Sequence, residues 1–317
     1  MNPILYLVIP CYNEETVLPI TAPFFLNKIE ELIGCSKISP ESRILFVDDG
    51  STDGTWNIIK NMSEDYTAVK GISLSRNRGH QNALLAGLLE AKEFCDISIS
   101  IDCDGQDDIN AVDKMVDEYL SGADIVYGVR DNRKSDTWFK KSSAKCYYKI
   151  LNIFGANVIY NHADYRLMSK RVLEELSKYK EVNLYLRGMI PLIGFKSTSV
   201  FYERHKRLAG KSKYPLRKML HLAFDGITSL TVKPIHIITG FGFIVALISG
   251  IGIVWSVVAK LTGHTVAGWT SIISIICFLG GIQLLSLGVI GEYVGKIYLE
   301  TKNRPRYVIK DKTPEDK

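Results

Sequence analysis

Ile97-Ser98-Ile99-Ser100-Ile101-Asp102-Cys103-Asp104-Gly105-Gln106-Asp107-Asp108 is the stretch around which the chain is organised. Its first half alternates isoleucine with small residues and predicts a buried strand. Its second half is a run of carboxylates interrupted by a glycine. Asp102 and Asp104 stand two apart at the strand's carboxyl end, and in an extended backbone residues i and i+2 point to the same side. Two carboxylates so placed repel each other unless a cation lies between them. A hard divalent ion with oxygen ligands, Mg2+ or Mn2+, is the natural partner. Gln106 offers a neutral oxygen two residues further on. Taken alone, the pair reads more readily as a solvated acidic turn, so its neighbours carry the metal reading.

Those neighbours repeat one pattern. Ile4 to Ile9 predicts a first buried strand, closed by Pro10-Cys11-Tyr12-Asn13-Glu14-Glu15 and a helix from about Glu14 to Ile33. Arg43 to Val47 is a second strand, followed by Asp48-Asp49-Gly50-Ser51-Thr52-Asp53-Gly54-Thr55, with Thr52 or Asp53 as the candidate helix N-cap. Val69 to Leu74 is a third, followed by Ser75-Arg76-Asn77-Arg78-Gly79-His80-Gln81 and a helix to about Glu93. After Ile97 to Ile101, a helix over 110–120 leads to a fifth strand at 124–128. Strands alternating with helices predict a mostly parallel α/β sheet, and chemistry in such sheets collects at the carboxyl ends of the strands. Neither a G-x-G-x-x-G nor a G-x-x-x-x-G-K-[ST] motif is present.

The chain has 317 residues and a net charge of +5, a mild excess that does not point to nucleic acid. Its six cysteines are scattered without a C-x-x-C pair and read as reduced thiols. The N-terminus lacks a basic leader and a long apolar run, so the first ~230 residues are expected in the cytoplasm. From Arg130 the composition becomes basic and aromatic, predicting an amphipathic helix over about 134–152. Two readings of it stand: a solvated face over an ordinary core, or a helix lying in a lipid headgroup layer. A second basic cluster runs from Arg204 to Lys218 and leads into another interfacial helix over about 213–230. Two apolar stretches follow, 235–259 and 267–291, each long enough to cross a ~30 Å hydrocarbon core. The connection between them is short, so they form a hairpin. Lys and Arg dominate its outer flanks, which places the catalytic domain (1–230), the tail (295–317) and both termini in the cytoplasm at an inner or plasma membrane. Gly242, Ala246 and Gly250 fall on one helix face and permit close packing, within the hairpin or in a homo-oligomer. Arg306 to Ile309 is a candidate short strand.

With these four strand-end motifs and the hairpin in view, the chain resembles family-2 glycosyltransferases of GT-A fold, most closely the polyprenyl-phosphate branch of bactoprenol-phosphate glucosyltransferases and dolichol-phosphate mannose synthases. The resemblance spans nearly the whole chain. It implies transfer of a sugar, glucose by the branch resembled, from a UDP-sugar to undecaprenyl or another polyprenyl phosphate. It assigns Pro10, Tyr12, Glu14, Asp49, Arg76 and Asp102 to the nucleotide, and Asp102, Asp104 and Gln106 to the metal. Asp104 and Asp164, the latter within Ala163-Asp164-Tyr165-Arg166-Leu167, become the catalytic carboxylates, and Arg204, Arg207, Lys211, Ser212 and Lys213 the acceptor-phosphate loop. The Gln-x-x-Arg-Trp motif of processive synthases is absent, which argues for single transfer. A non-catalytic scaffold is disfavoured by the intact Asp102/Asp104 pair. GlcNAc, galactose or a modified pentose are the alternative sugars.

Overall fold

Leu5–Cys11 (β1) is apolar on both faces: Leu5, Leu7, Ile9 and Cys11 face one buried cluster, while Tyr6 and Val8 face another. A strand buried on both sides belongs in the middle of a helix-covered sheet, and β1 lies there. The structure, a computed structural model, describes residues 2–131, 162–182, 185–204, 228, 231–262 and 268–314. Both expected interfacial helices therefore lie outside the described residues, apart from Thr228, as do Arg207, Lys211, Ser212 and Lys213.

The elements follow in the order α1 (Leu18–Gly34), β2 (Arg43–Asp48), α2 (Thr55–Asp65), β3 (Val69–Leu74), α3 (His80–Ala91), β4 (Ile97–Ser100), α4 (Ala111–Leu120) and β5 (Ile125–Arg130). Beyond them lie β6 (His162–Ser169), α5 (Lys170–Lys178), α6 (Leu186–Leu192), β7 (Ser197–Tyr202), α7 (Lys233–Leu261), α8 (Trp269–Thr301) and β8 (Ile309–Lys312). The eight strands form one sheet in the order β7-β5-β6-β4-β1-β2-β3-β8. β1 pairs in parallel with β2 and β4, and β2 with β3. β6 runs antiparallel between β4 and β5, and β8 lies antiparallel along β3. Helices α1 and α4 cover one face through Leu18, Phe25, Ile29, Val112 and Met115, and α3 and α5 cover the other. α3 sits close because Gly87 has no side chain. A Cβ there would come within 2.5 Å of Val8 and 2.6 Å of Val47.

The expected helix start at Glu14 moves to Leu18. Asn13 adopts a φ of 51°, and the backbone N–H groups of Asn13 and Glu14 are taken by Ser51 Oγ and Thr55 Oγ1, both at 2.9 Å, so this stretch stitches two loops together. Gly54 rather than Thr52 or Asp53 occupies the N-cap position of α2, while Asp53 accepts from the Thr55 N–H at 3.0 Å. Arg130, pooled by composition with the basic segment that follows it, instead ends β5 and pairs with Asp107 at 3.1 Å. β6 and β7 were not expected as strands, and the candidate strand of the tail begins at Ile309 rather than Arg306.

α7 and α8 are long and apolar enough to cross a membrane, and among the described residues their large apolar side chains are mostly exposed: Ile251 is 70% exposed and Leu284 73%. Beyond them the chain rejoins the sheet. Thr313 donates its N–H to Gly71 O and accepts from Gly71 N–H, each at 2.9 Å, and Asp311 meets Trp56 Nε1 at 3.3 Å and Lys60 at 3.1 Å. Deleting residues 309–317 removes these bonds and bares the β3 edge. At roughly 1 kcal/mol per hydrogen bond, loss of the two Thr313–Gly71 bonds and of the β3–β8 ladder is expected to cost about 2–4 kcal/mol. That corresponds to a melting midpoint lower by about 4 °C or more. An unchanged midpoint in thermal unfolding of the full-length and shortened chains would contradict it.

Candidate active site

The carboxyl ends of β1 to β4 gather the polar segments along one edge. Asp48 and Asp49 are buried there. Asp48 accepts from Ser73 Oγ at 2.7 Å and from the Ser51 N–H at 3.1 Å. Asp49 accepts from the N–H groups of Arg78 at 2.7 Å and Gly79 at 2.9 Å. Burial raises the Asp49 pKa, and these two bonds oppose the rise. Asp49 thus fixes the loop after β3. Gly50, at φ 64°, lets the two loops touch, since a Cβ there would lie 2.5 Å from the Arg76 backbone. Pro10, Tyr12 and Glu14 line the neighbouring loop, with Tyr12 36% exposed.

The β4/β6 register then brings in the far carboxylate. Ser100 lies opposite Arg166 in antiparallel pairing, so two residues further along Asp164 comes level with Asp102. His80, at the start of α3, stands 3.4 Å from Asp164 Oδ2 and 3.8 Å from Asp102 Oδ1. Arg166 donates to Asp164 Oδ1 at 2.7 Å, and Arg187 from α6 grips both oxygens, Nε at 3.0 Å and Nη2 at 2.9 Å. Burial disfavours the Asp164 anion, but Arg187, the hydrogen bond from His80, and Arg166 hold its pKa well below the usual carboxylate range. Asp102 moves the other way. Burial lifts it to about 6, and although His80 opposes the rise, the carboxylates of Asp107, Asp164 and Asp104 reinforce it. His80 is raised to about 9: its enclosed setting disfavours the imidazolium, but the bond to Asp164 and the charges of Asp102 and Asp164 prevail.

The remaining assigned residues sit close by, in altered company. Asp104 Oδ1 accepts from the Gln106 N–H at 3.1 Å. Arg204 donates to Gln106 Oε1, so a residue assigned to acceptor phosphate meets one assigned to metal. Asp107 accepts from Tyr202 OH at 2.6 Å and from Arg130 Nη2 at 3.1 Å. Arg76 is exposed on the β3 loop. Among the described residues, no three His, Cys, Asp or Glu side chains form a closed metal cage. Asp102 and Asp104 are hard oxygen donors in a crowded acidic cluster, which fits an ion that fills its other positions with water and phosphate oxygens.

Sequence reasoning passed over His80, Asp107, Arg187 and Tyr202 as site residues. His80 lay inside a quoted motif. Arg187 is an isolated charge in the apolar run Leu184-Tyr185-Leu186-Arg187-Gly188, a pattern that could have drawn attention to it.

A doubly covered α/β sheet with buried carboxylates converging at its strand ends defines an enzyme, and comparison with known proteins gives its kind. The family model "Glycosyl transferase family 2" matches residues 6–177. The chain belongs to this family and is a glycosyltransferase with the expected GT-A-like fold. The glycosyltransferase YkoT of Bacillus subtilis (strain 168) is 50% identical over 97% of this chain and 91% of its own length. The bactoprenol glucosyl transferase of Shigella phage SfX is 38% identical over 96% of this chain and 98% of its own. Among solved structures, mannosyl-3-phosphoglycerate synthase from Rubrobacter xylanophilus aligns with a TM-score of 0.47 at 16% identity, covering 70% of this chain and 71% of that one.

Asp164→Asn strips the buried Arg166 of its counter-charge. Removing one partner of a buried pair costs about 3–5 kcal/mol, and the variant should melt correspondingly lower at neutral pH. Because the Asp164 pKa is depressed, its contribution is fully present above the unfolded value near ~3.9 and lost as pH falls through the folded one. The gap between wild type and variant in thermal unfolding should therefore close only below about pH 4. A gap that closed between pH 6 and 8 would contradict it.

Proposed function

We propose that the chain is a membrane-anchored, inverting glycosyltransferase that moves glucose from UDP-glucose to undecaprenyl phosphate or a related polyprenyl phosphate. The observation that carries this reading is Asp164 held level with Asp102 at the carboxyl edge of a sheet whose chain is also similar, end to end, to bactoprenol glucosyl transferases. In it, Pro10, Tyr12, Glu14, Asp49 and Arg76 cradle the nucleotide. Asp102 and Asp104, with Gln106 as a further oxygen, hold Mg2+ or Mn2+, which when bound neutralises the charge developing on the diphosphate.

A phosphate monoester has a second pKa near ~6, so the acceptor is largely dianionic at neutral pH and needs no strong base. Asp164, kept ionised by its cationic neighbours, suits orientation better than proton abstraction. Attack from the face of the sugar opposite the diphosphate inverts the anomeric centre. Arg204, Arg207, Lys211, Ser212 and Lys213 form the basic approach to the bilayer. Pairing of β8 with β3 supports a hairpin whose two outer ends lie on the same, cytoplasmic, side.

The test is purified full-length protein with undecaprenyl phosphate and UDP-glucose, UDP-GlcNAc or UDP-galactose, with lipid products identified by mass. A hexosyl lipid phosphate from UDP-glucose is expected. Excess EDTA should abolish it, and Asp104→Asn should lower kcat by roughly 10²-fold or more, as loss of a transition-state charge partner does. Full turnover in EDTA would refute the metal, and no lipid product from any sugar would refute the acceptor.

A further inference from the structure

α6 is placed by contacts at its N-terminal end and in the segment that leads into it. Gln81 Oε1 on α3 accepts the Leu186 N–H at 3.0 Å, and the next residue, Arg187, spends two parallel bonds on Asp164. A few residues upstream, both carboxylate oxygens of Glu300 on α8 accept the Val182 N–H, at 2.8 and 2.9 Å, and Arg306 donates to Tyr179 O. The segment that delivers Arg187 to the site is therefore fastened to the end of the second apolar helix.

The charges there are layered. Arg166 is fully buried, and among the described residues its Nε and Nη1 have no hydrogen-bond partner. Asp164 lies above it at 11% side-chain exposure, and Arg187 above that at 38%. Two permanently charged guanidinium groups share this one carboxylate, and the more exposed of them forms the outer layer. A planar guanidinium that is already oriented matches a phosphate group with two parallel hydrogen bonds.

We propose that Arg187, backed by Arg166, is the seat of the acceptor's phosphate monoester, and that Asp164 holds the Arg187 guanidinium ready for it. This rests on the acceptor reading above and moves the decisive phosphate contact from the 204–213 loop to α6. Through His80 the seat joins the same cluster as Asp102, so a phosphate on Arg187 stands beside the donor carboxylates.

The experiment uses full-length protein with undecaprenyl phosphate in detergent. Kinetics are measured for wild type, Arg187→Lys, Arg187→Gln and the surface control Arg171→Gln, beside UDP binding by calorimetry and inhibition by inorganic phosphate. Both Arg187 variants should raise the KM for undecaprenyl phosphate by about tenfold or more, as loss of a charge-assisted bond worth ~1.5–3 kcal/mol implies. UDP affinity should stay within about twofold, and Arg171→Gln should change neither. Inorganic phosphate should compete with the lipid in wild type and lose potency in the variants.

A fall in kcat with unchanged KM would overturn the proposal, because Arg187 would then only position Asp164. Weaker phosphate inhibition with an unchanged lipid KM would overturn it in favour of a free-phosphate site. A matching loss of UDP affinity in Arg187→Lys, which keeps the charge, would place the residue on the donor side. No turnover by wild type would remove the acceptor reading and this proposal with it, whereas turnover with an unaltered KM in the variants removes this proposal alone.

Discussion

The antiparallel insertion of β6 between β4 and β5 is the constraint on which the site depends. A parallel strand in that position would carry Asp164 to the opposite edge of the sheet. Running antiparallel, β6 begins where β4 ends, and the Ser100–Arg166 register levels Asp164 with Asp102. Ser100 Oγ adds a hydrogen bond to the Asp164 carbonyl oxygen, so the pairing is held by a side chain as well as by the ladder. Since side chains on a strand alternate faces, a slip of one residue would turn Asp164 and Arg166 into the other core. The apolar neighbours Tyr165 and Leu167, buried on that opposite side, make such a slip costly.

Asp102 and Asp164 show how one residue type is given two characters within a single cluster. Asp164 is buried and Asp102 half-buried, and the lost hydration by itself disfavours either anion. Around Asp164, two guanidinium groups and His80 reverse that preference. Around Asp102, three other carboxylates reinforce it, and His80 opposes. The first is a fixed anion with its partners already in place. The second is a carboxylate whose ionisation a bound cation would favour. Divergent pKa values in neighbouring acids are a physical mark of divided roles.

The central sheet was legible in the sequence because strands covered on both faces carry apolar or small residues throughout, as Ile44 to Val47 and the Ile-Ser alternation of Ile97 to Ile101 do. β6 was not, because His162-Ala163-Asp164-Tyr165-Arg166 carries site charges on the face that would otherwise be apolar. β8, Ile309-Lys310-Asp311-Lys312, is an edge strand with one solvated side and has too few apolar residues to declare itself. The acidic stretch after β4 was visible from local charge density, and the neighbouring strand-end motifs were needed to place it in a site. Arg187 was not, because its partner lies 23 residues away and meets it only through the packing of α6 on α3. Arg130 was misread for a related reason: composition pooled it with the lysines that follow, whereas its partner Asp107 comes from another loop.

The return of β8 to the β3 edge also sets an order of assembly. Strands β1 to β7 are all synthesised before the two apolar helices, yet the edge of β3 stays open until residues 309–313 have left the ribosome. The last strand of the sheet cannot be laid until both helices have been translated. An open edge strand is a template for unwanted pairing, so the interval between making β3 and closing it is a hazard that a nascent chain must pass through. Glu300 and Arg306, which clamp the segment ahead of α6, arrive in the same late stretch. Completion of the sheet and seating of Arg187 are thereby deferred until both apolar helices have been made.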